Sequence, residues 1–232
     1  MKELKIITGG SSGLGFCISR RLAEQGCNIA IIGRDEQKLR ISKEKIEKNT
    51  SAHVLSLCGD VADENFVKET FSTIQKNEFC VTALYNCAAS AKFGSPEATT
   101  KEMIDIVFDG SLTGTILMST HAMIAMKEHG GIIVNVMSSA ALKGNPNESV
   151  YCAAKWGARG YTEALKAFVK GSSIKVVGVY PGGMNTPFWK PNSGLNPDTT
   201  KFMNPEEVAE QILFATSQKE SLYIADISIE RK

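Results

Sequence analysis

The sequence has no apolar run approaching 18 residues, so it offers no helix able to span a bilayer. It has almost no charge imbalance: 26 Lys and Arg against 25 Asp and Glu leave a formal charge of +1. Without a basic excess or a Lys/Arg-rich run, neither a broad nucleic-acid surface nor an anionic-membrane surface is expected. The six cysteines, at positions 17, 27, 58, 80, 87 and 152, include no CxxC pair and no Cys/His cluster at zinc spacing. Reduced thiols in a cytoplasmic setting, and no metal site, are therefore expected. Residues 1–7 lack the apolar core of a secretory leader. Internal repeats and low-complexity tracts are also missing.

What is there is alternation. At 232 residues and 43% hydrophobic, residues 1–232 read as one domain able to bury a continuous core without disulfides. β-Branched-rich runs at 4–8, 28–32, 52–57, 81–85, 131–137 and 174–180 predict buried strands. Helical spacing predicts helices over 13–25, 35–49, 62–77, 100–128, 149–169 and 204–217, the last opening on Asn204 and Pro205. A seventh strand is expected near 221–229. Strand–helix alternation implies an α/β fold: a Rossmann-like, doubly wound, parallel seven-stranded sheet with helices on both faces. The one compositional shift, 182–203, is rich in Pro, Gly, Asn and Thr and reads as a substrate loop.

Thr8-Gly9-Gly10-Ser11-Ser12-Gly13-Leu14-Gly15 joins the first strand to the first helix. Glycines there let backbone N–H groups approach a ligand, and the helix N-terminus favours an anion, so a pyrophosphate is the expected guest. The spacing is G-x-x-x-G-x-G, without the lysine of a P-loop. The second strand ends in Gly33-Arg34-Asp35. An Arg at the adenosine end of a dinucleotide site pairs with a 2′-phosphate, where a carboxylate would repel it. Arg34 therefore favours NADP(H) over NAD(H), unless it is a plain surface arginine. Asp35 beside it suits a helix cap.

Tyr151-Cys152-Ala153-Ala154-Lys155 places a phenol and an ammonium on one helical face. A nearby cation is expected to lower the phenol pKa and so suit it to proton transfer with a carbonyl or an alcohol. Upstream, the fifth strand ends in Ser138-Ser139.

The glycine turn followed by Ser, Tyr and Lys in this order resembles the short-chain dehydrogenase/reductase family, in its single-domain branch of roughly 250 residues. The resemblance runs from residue 4 to about residue 229. It implies catalysis by Ser138, Tyr151 and Lys155, with Ser139 the alternative serine. Ser138 would orient the substrate carbonyl, Tyr151 would protonate it, and Lys155 would bind the nicotinamide ribose and tune Tyr151. The resemblance also places Gly9, Ser11, Ser12, Gly13, Leu14, Gly15, Arg34, Asp60, Val61, Asn86, Ala88, Pro181, Gly182 and Thr186 around the cofactor. Asp60 would hold the adenine amino group or cap the next helix, and Asn86 reads mainly as a link between strands. Two departures stand out. Asn86-Cys87-Ala88-Ala89 replaces Asn-Asn-Ala-Gly, and Ser111 stands where the family has an Asn that holds a water near the lysine.

The expected activity is NADPH-dependent reduction of a ketone or aldehyde, as in 3-oxoacyl-carrier-protein, sepiapterin-type or general carbonyl reductases. The alternatives are an NAD-dependent alcohol dehydrogenase, or a weakly active or non-catalytic NADPH-binding sensor. Phe93, Leu142, Met184, Phe188, Trp189 and Phe202 are expected to form an apolar substrate wall or to pack in the core. Apolar stripes on 100–128 and 151–168 are core or interface, and the family implies a homodimer or homotetramer, here a dimer.

Overall fold

The β-branched runs of the sequence pair edge to edge. In the computed structural model, which describes residues 1–189, 193–217 and 222–232, seven strands form one parallel sheet. They are β1 (Lys2–Thr8), β2 (Asn28–Gly33), β3 (Val54–Cys58), β4 (Phe79–Asn86), β5 (Gly131–Val136), β6 (Ile174–Pro181) and β7 (Asp226–Ile229). Their order is β3-β2-β1-β4-β5-β6-β7, so the winding direction reverses between β1 and β4. The predicted last strand begins later than expected, at Asp226, and residue 221 lies outside the described residues.

Side chains alternate along each strand and feed two cores, as a sheet buried on both faces requires. Ile29 and Ile31 of β2 face one side; Ala30 and Ile32 face the other. The first core is closed by α1 (Gly13–Glu24), α2 (Glu36–Glu47) and α7 (Pro205–Thr216), through residues such as Ile18, Leu39 and Ile212. The second is closed by α3 (Glu64–Lys76), α5 (Gly114–Ala125) and α6 (Ser149–Phe168), through Val67, Met118 and Leu165. The chain is thus a doubly wound α/β domain with helices on both faces.

Several helices start on side-chain caps that relieve unpaired backbone N–H groups. Asp35 caps α2 by accepting from Lys38 N, and Asn204 caps α7 with Pro205 at the first position. The cap of α3 is Asp63, not Asp60. Asp60 instead accepts from Ala62 N in the turn before it.

The helix expected over 100–128 is not continuous. It divides into α4 (Lys101–Phe108), a π turn over Asp109–Thr113, and α5. The cause is local. A Cβ at Gly110 would lie 2.2 Å from Ser90 Oγ, and Ser111 Oγ both accepts from Ser90 N (3.0 Å) and donates to Ser90 O (2.8 Å). The wider turn brings the helix onto the chain that follows β4.

Beneath the sheet's C-terminal edge lies a buried polar chain. Asn86 Nδ2 donates to Ser119 Oγ and to Asn135 Oδ1, both at 2.9 Å, and Asn135 Nδ2 donates to Thr162 Oγ1 at 3.0 Å. This ties β4, β5, α5 and α6 together, which matches the reading of Asn86 as a link between strands.

Candidate active site

All seven strands point their C-terminal ends to one side, and the order reversal between β1 and β4 leaves a crevice there. It opens as a cleft of about 1420 Å³. Three sets of side chains share it.

The first set is the glycine turn. Gly9 and Gly13 have φ of +65° and +49°, a region side chains rarely enter. A Cβ at Gly15 would sit 2.3 Å from Gly9 O, so the turn closes only around glycine. Thr8 Oγ1 accepts from both Cys87 N and Ala88 N at 3.0 Å and locks the turn to the end of β4. Ser12 takes the N-cap position of α1 but makes no side-chain cap bond. The first N–H groups of α1 thus remain available to a guest. Opposite, Thr186 packs against Gly13, whose Cβ would come within 3.2 Å of the Thr186 Cβ.

The second set is basic and lies at the adenosine end. Arg34 is exposed and pairs with Asp60 at 3.6 Å. Lys38, Ser42 and Lys45 line the same end from α2. Sequence reasoning passed over these three, although 38, 42 and 45 follow one face of α2. Together, the glycine turn, the helix N-terminus and the basic end fit a nicotinamide dinucleotide.

The third set is Ser138, Tyr151 and Lys155. Ser138, two residues past β5, accepts from Ala140 N at 3.1 Å and lies near enough to the Tyr151 hydroxyl to favour its ionised form. Ser139 instead starts a short 3-10 turn. Lys155 is 1% exposed, donates to Val136 O at 3.3 Å and lies 5.7 Å from the Tyr151 ring centre. Burial pulls its amine down from 10.5 to about 8, partly offset by the nearby Cys87 thiol. Burial pushes the Tyr151 phenol well above its ordinary value, against the nearby Ser138 hydroxyl that lowers it. The expected lowering by the cation does not hold in this protein. Desolvation of the buried phenol is the largest cause and sets the direction. Cys87, on the floor beside Lys155, is raised to about 12 by burial.

The substrate half carries the aromatics. Phe188 lies 5.7 Å from the Tyr151 ring centre, and Trp189 stacks on Phe93 at 5.6 Å and meets Phe202 at 5.4 Å. Trp189 Nε1 donates to Met184 O, fixing the indole. Met184, Phe188, Trp189 and Phe202 line the cleft. Phe93 does not; at 4% exposure it packs behind Tyr151, edge to face at 5.4 Å. Leu142 also departs from expectation. It follows the 3-10 turn Ser139–Ala141, is exposed, and is not part of the cleft wall. Asn86 lies beneath the floor rather than on it. The loop over 182–203 is held by the bridge between Met184 and Met203 and by turns at Pro187–Trp189 and Thr199–Lys201. Residues 190–192 of that loop lie outside the described residues.

The remaining sequence-predicted residues do come together. The glycine turn with Ser11, Ser12 and Leu14, then Arg34, Asp60, Val61 and Ala88, and finally Pro181, Gly182 and Thr186 line the one cleft. Polar residues that sequence reasoning missed line it too: Lys92, Lys143, Asn145, Glu148 and Arg231. Among the described residues, no cluster of three or more His, Cys, Asp or Glu is arranged to hold a metal, and no helix is long and apolar enough to cross a membrane.

The profile of the short chain dehydrogenase family matches residues 3–194, so this chain belongs to the short-chain dehydrogenase/reductase family of oxidoreductases. Carbonyl reductase family member 4 of Xenopus tropicalis is 32% identical over 222 residues, 92% of this chain and 91% of that protein. The 3-oxoacyl-[acyl-carrier-protein] reductase of Bos taurus is 32% identical over 91% of this chain and 84% of its own. Among solved structures, a short-chain dehydrogenase/reductase from Vibrio parahaemolyticus superposes with a TM-score of 0.85 at 30% identity, covering 99% of this chain and 96% of its own.

Proposed function

We propose that this protein is a carbonyl reductase that uses NADP(H) in preference to NAD(H). The observation that carries the reading is that Ser138, Tyr151 and a buried Lys155 share one cleft with the glycine turn. The residues of that cleft would hold a nicotinamide dinucleotide, which in its reduced form would supply hydride to a carbonyl carbon. Ser138 donates a hydrogen bond to the carbonyl oxygen and holds it beside the phenol. Tyr151 delivers its proton to that oxygen as negative charge develops there. A phenol kept protonated by burial is in the correct state to act as an acid. Lys155, a neighbouring cation, stabilises the phenolate left behind and would hold the nicotinamide ribose. Hydride on carbon and proton on oxygen together make the alcohol.

Gly9, Ser11, Ser12, Gly13, Leu14 and Gly15 would cradle the pyrophosphate, and Asp60 and Val61 the adenine. Ala88, Pro181, Gly182 and Thr186 would flank the nicotinamide. Arg34 supports the 2′-phosphate preference, with Lys38 and Lys45 adding positive charge nearby. The similarity to a carbonyl reductase and a 3-oxoacyl reductase supports a ketone or acyl substrate. We also infer a homodimer acting in the cytoplasm.

The test is a fluorescence titration with NADPH and with NADH, followed by turnover on ketones and diketones. Tighter NADPH binding with carbonyl-dependent NADPH oxidation is expected. NADPH binding without turnover on any carbonyl would instead favour a sensor, a reading that Ser111 supports because its hydroxyl is committed to Ser90 rather than to water.

A further inference from the structure

Glu148 holds the N-cap position of α6, three residues before Tyr151. A carboxylate there would ordinarily sit over the helix end and answer its dipole. This one makes no cap bond. It turns to the cleft, where Asn145 Nδ2 donates to Glu148 Oε2 at 3.0 Å and both residues line the wall. Among the described residues, its other oxygen has no hydrogen-bond partner.

The backbone is built to hold it so. Asn147 between them adopts φ of +61°, and its carbonyl accepts from Gly94 N at 2.8 Å. A non-glycine residue in that region carries strain that the surroundings must maintain. Here the strand-end loop at Gly94 maintains it, and the result is a carboxylate presented to the cleft rather than to the helix.

Its neighbours define what it could bind. Five charged side chains line the outer cleft: Lys92, Lys143, Glu148, Glu230 and Arg231. Of these, Glu148 is the one whose charge bears on the Tyr151 hydroxyl. Arg231 is occupied with Lys201 O at 2.9 Å. The other wall beside Tyr151 is the ring of Phe188. A carboxylate in a cleft that also carries aromatic rings is a setting for a cation or a hydroxyl.

We propose that Glu148 is a specificity-determining residue, and that the carbonyl substrate carries a hydrogen-bond donor, an ammonium or a hydroxyl group, close to its carbonyl. This rests on the reductase reading and names the substrate class for that same cleft. An apolar ketone of equal size would leave the second carboxylate oxygen without a partner, and a site built around a donor discriminates against the analogue that lacks it. A hydrogen bond to a charged group is worth about tenfold or more in affinity.

The test compares α-aminoacetophenone, α-hydroxyacetophenone and propiophenone, which share ring and ketone and differ at one terminal group. The readout is the ratio of kcat/KM for each donor-bearing ketone to that for propiophenone, which cancels any general loss of activity. The wild-type ratio is expected to be about tenfold or more for at least one donor. Glu148→Ala brings it to near one. Glu148→Gln keeps a hydroxyl preference but loses an ammonium preference, which separates the two donors. Wild-type ratios near one for both donors, or ratios that Glu148→Ala leaves unchanged, would overturn the proposal. A second arm needs no cofactor. In a Trp156→Phe background, Trp189 fluorescence follows binding of 2-amino-1-phenylethanol, 1-phenyl-1,2-ethanediol and 1-phenyl-1-propanol. Donor-selective binding that Glu148→Ala abolishes, with no turnover of any ketone, would keep this proposal and end the reductase reading. Turnover without donor selectivity would do the reverse.

Discussion

Tyr151 and Lys155 share one face of α6, yet burial moves their proton affinities in opposite directions. The phenol rises and the amine falls from 10.5 to about 8. For the lysine this has a measurable consequence. Below pH 8 both folded and unfolded chains hold its proton, and the folded state bears the full cost of burying the charge. Between pH 8 and 10.5 the folded state releases the proton first, so stability rises with pH until both states are neutral. Relative to wild type, Lys155→Met should therefore be more stable at pH 7, by up to about 3 kcal/mol. That advantage should shrink toward pH 10.5 in denaturant unfolding. At the other end of the cleft, Arg34→Ala should raise the Kd for NADPH by about tenfold and leave that for NADH nearly unchanged, read by equilibrium titration. The spacing of Tyr151 and Lys155 was legible because helical period alone puts i and i+4 together. The direction of the tyrosine shift was not, because desolvation depends on what covers the ring. Nor could residue type say that Leu142 faces solvent, or that Phe93 lies one layer behind the wall.

Strands other than β7, and most helices, were legible to within two residues at each end. β-Branched runs flanked by caps such as Asp35 and Asn204 leave little freedom in where elements begin. The π turn at Asp109–Thr113 was not anticipated, although a glycine inside a helical pattern is a signal for such a break. It depends on a contact with Ser90, far along the chain, that no local pattern encodes. Ser111→Ala would leave both the N–H and the carbonyl of Ser90 without their present partner. It should lower stability by about 1–3 kcal/mol in denaturant unfolding. Glycine in the first turn is constrained more severely. Gly15→Ala drives a Cβ against Gly9 O, so the turn must open, and cofactor affinity should fall in the same titration. Retained affinity in that variant would show that the turn tolerates a wider form.

At the scale of the whole molecule, the parallel sheet order brings the ends of β1, β2, β4, β5 and β6 to one crevice. That convergence was implied by strand–helix alternation alone, since right-handed crossovers leave few other topologies. What alternation could not show is which apolar helix residues stay uncovered. Val107, Met118, Met126 and Leu165 are core, whereas Ile124 and Trp156 are 62% and 49% exposed. Sedimentation of the proposed dimer should give twice the 25.1 kDa chain mass, and Trp156→Glu should shift it toward the monomer. A wild-type chain that sediments as a monomer would remove the dimer from the account.

If Tyr151 is the proton donor of a carbonyl reduction, removing its hydroxyl should stop turnover without loosening the cofactor. NADPH oxidation driven by a ketone or diketone should proceed in the wild type. In Tyr151→Phe it should fall by about two to four orders of magnitude, with NADPH binding preserved. Equal turnover in the two proteins would contradict the claim.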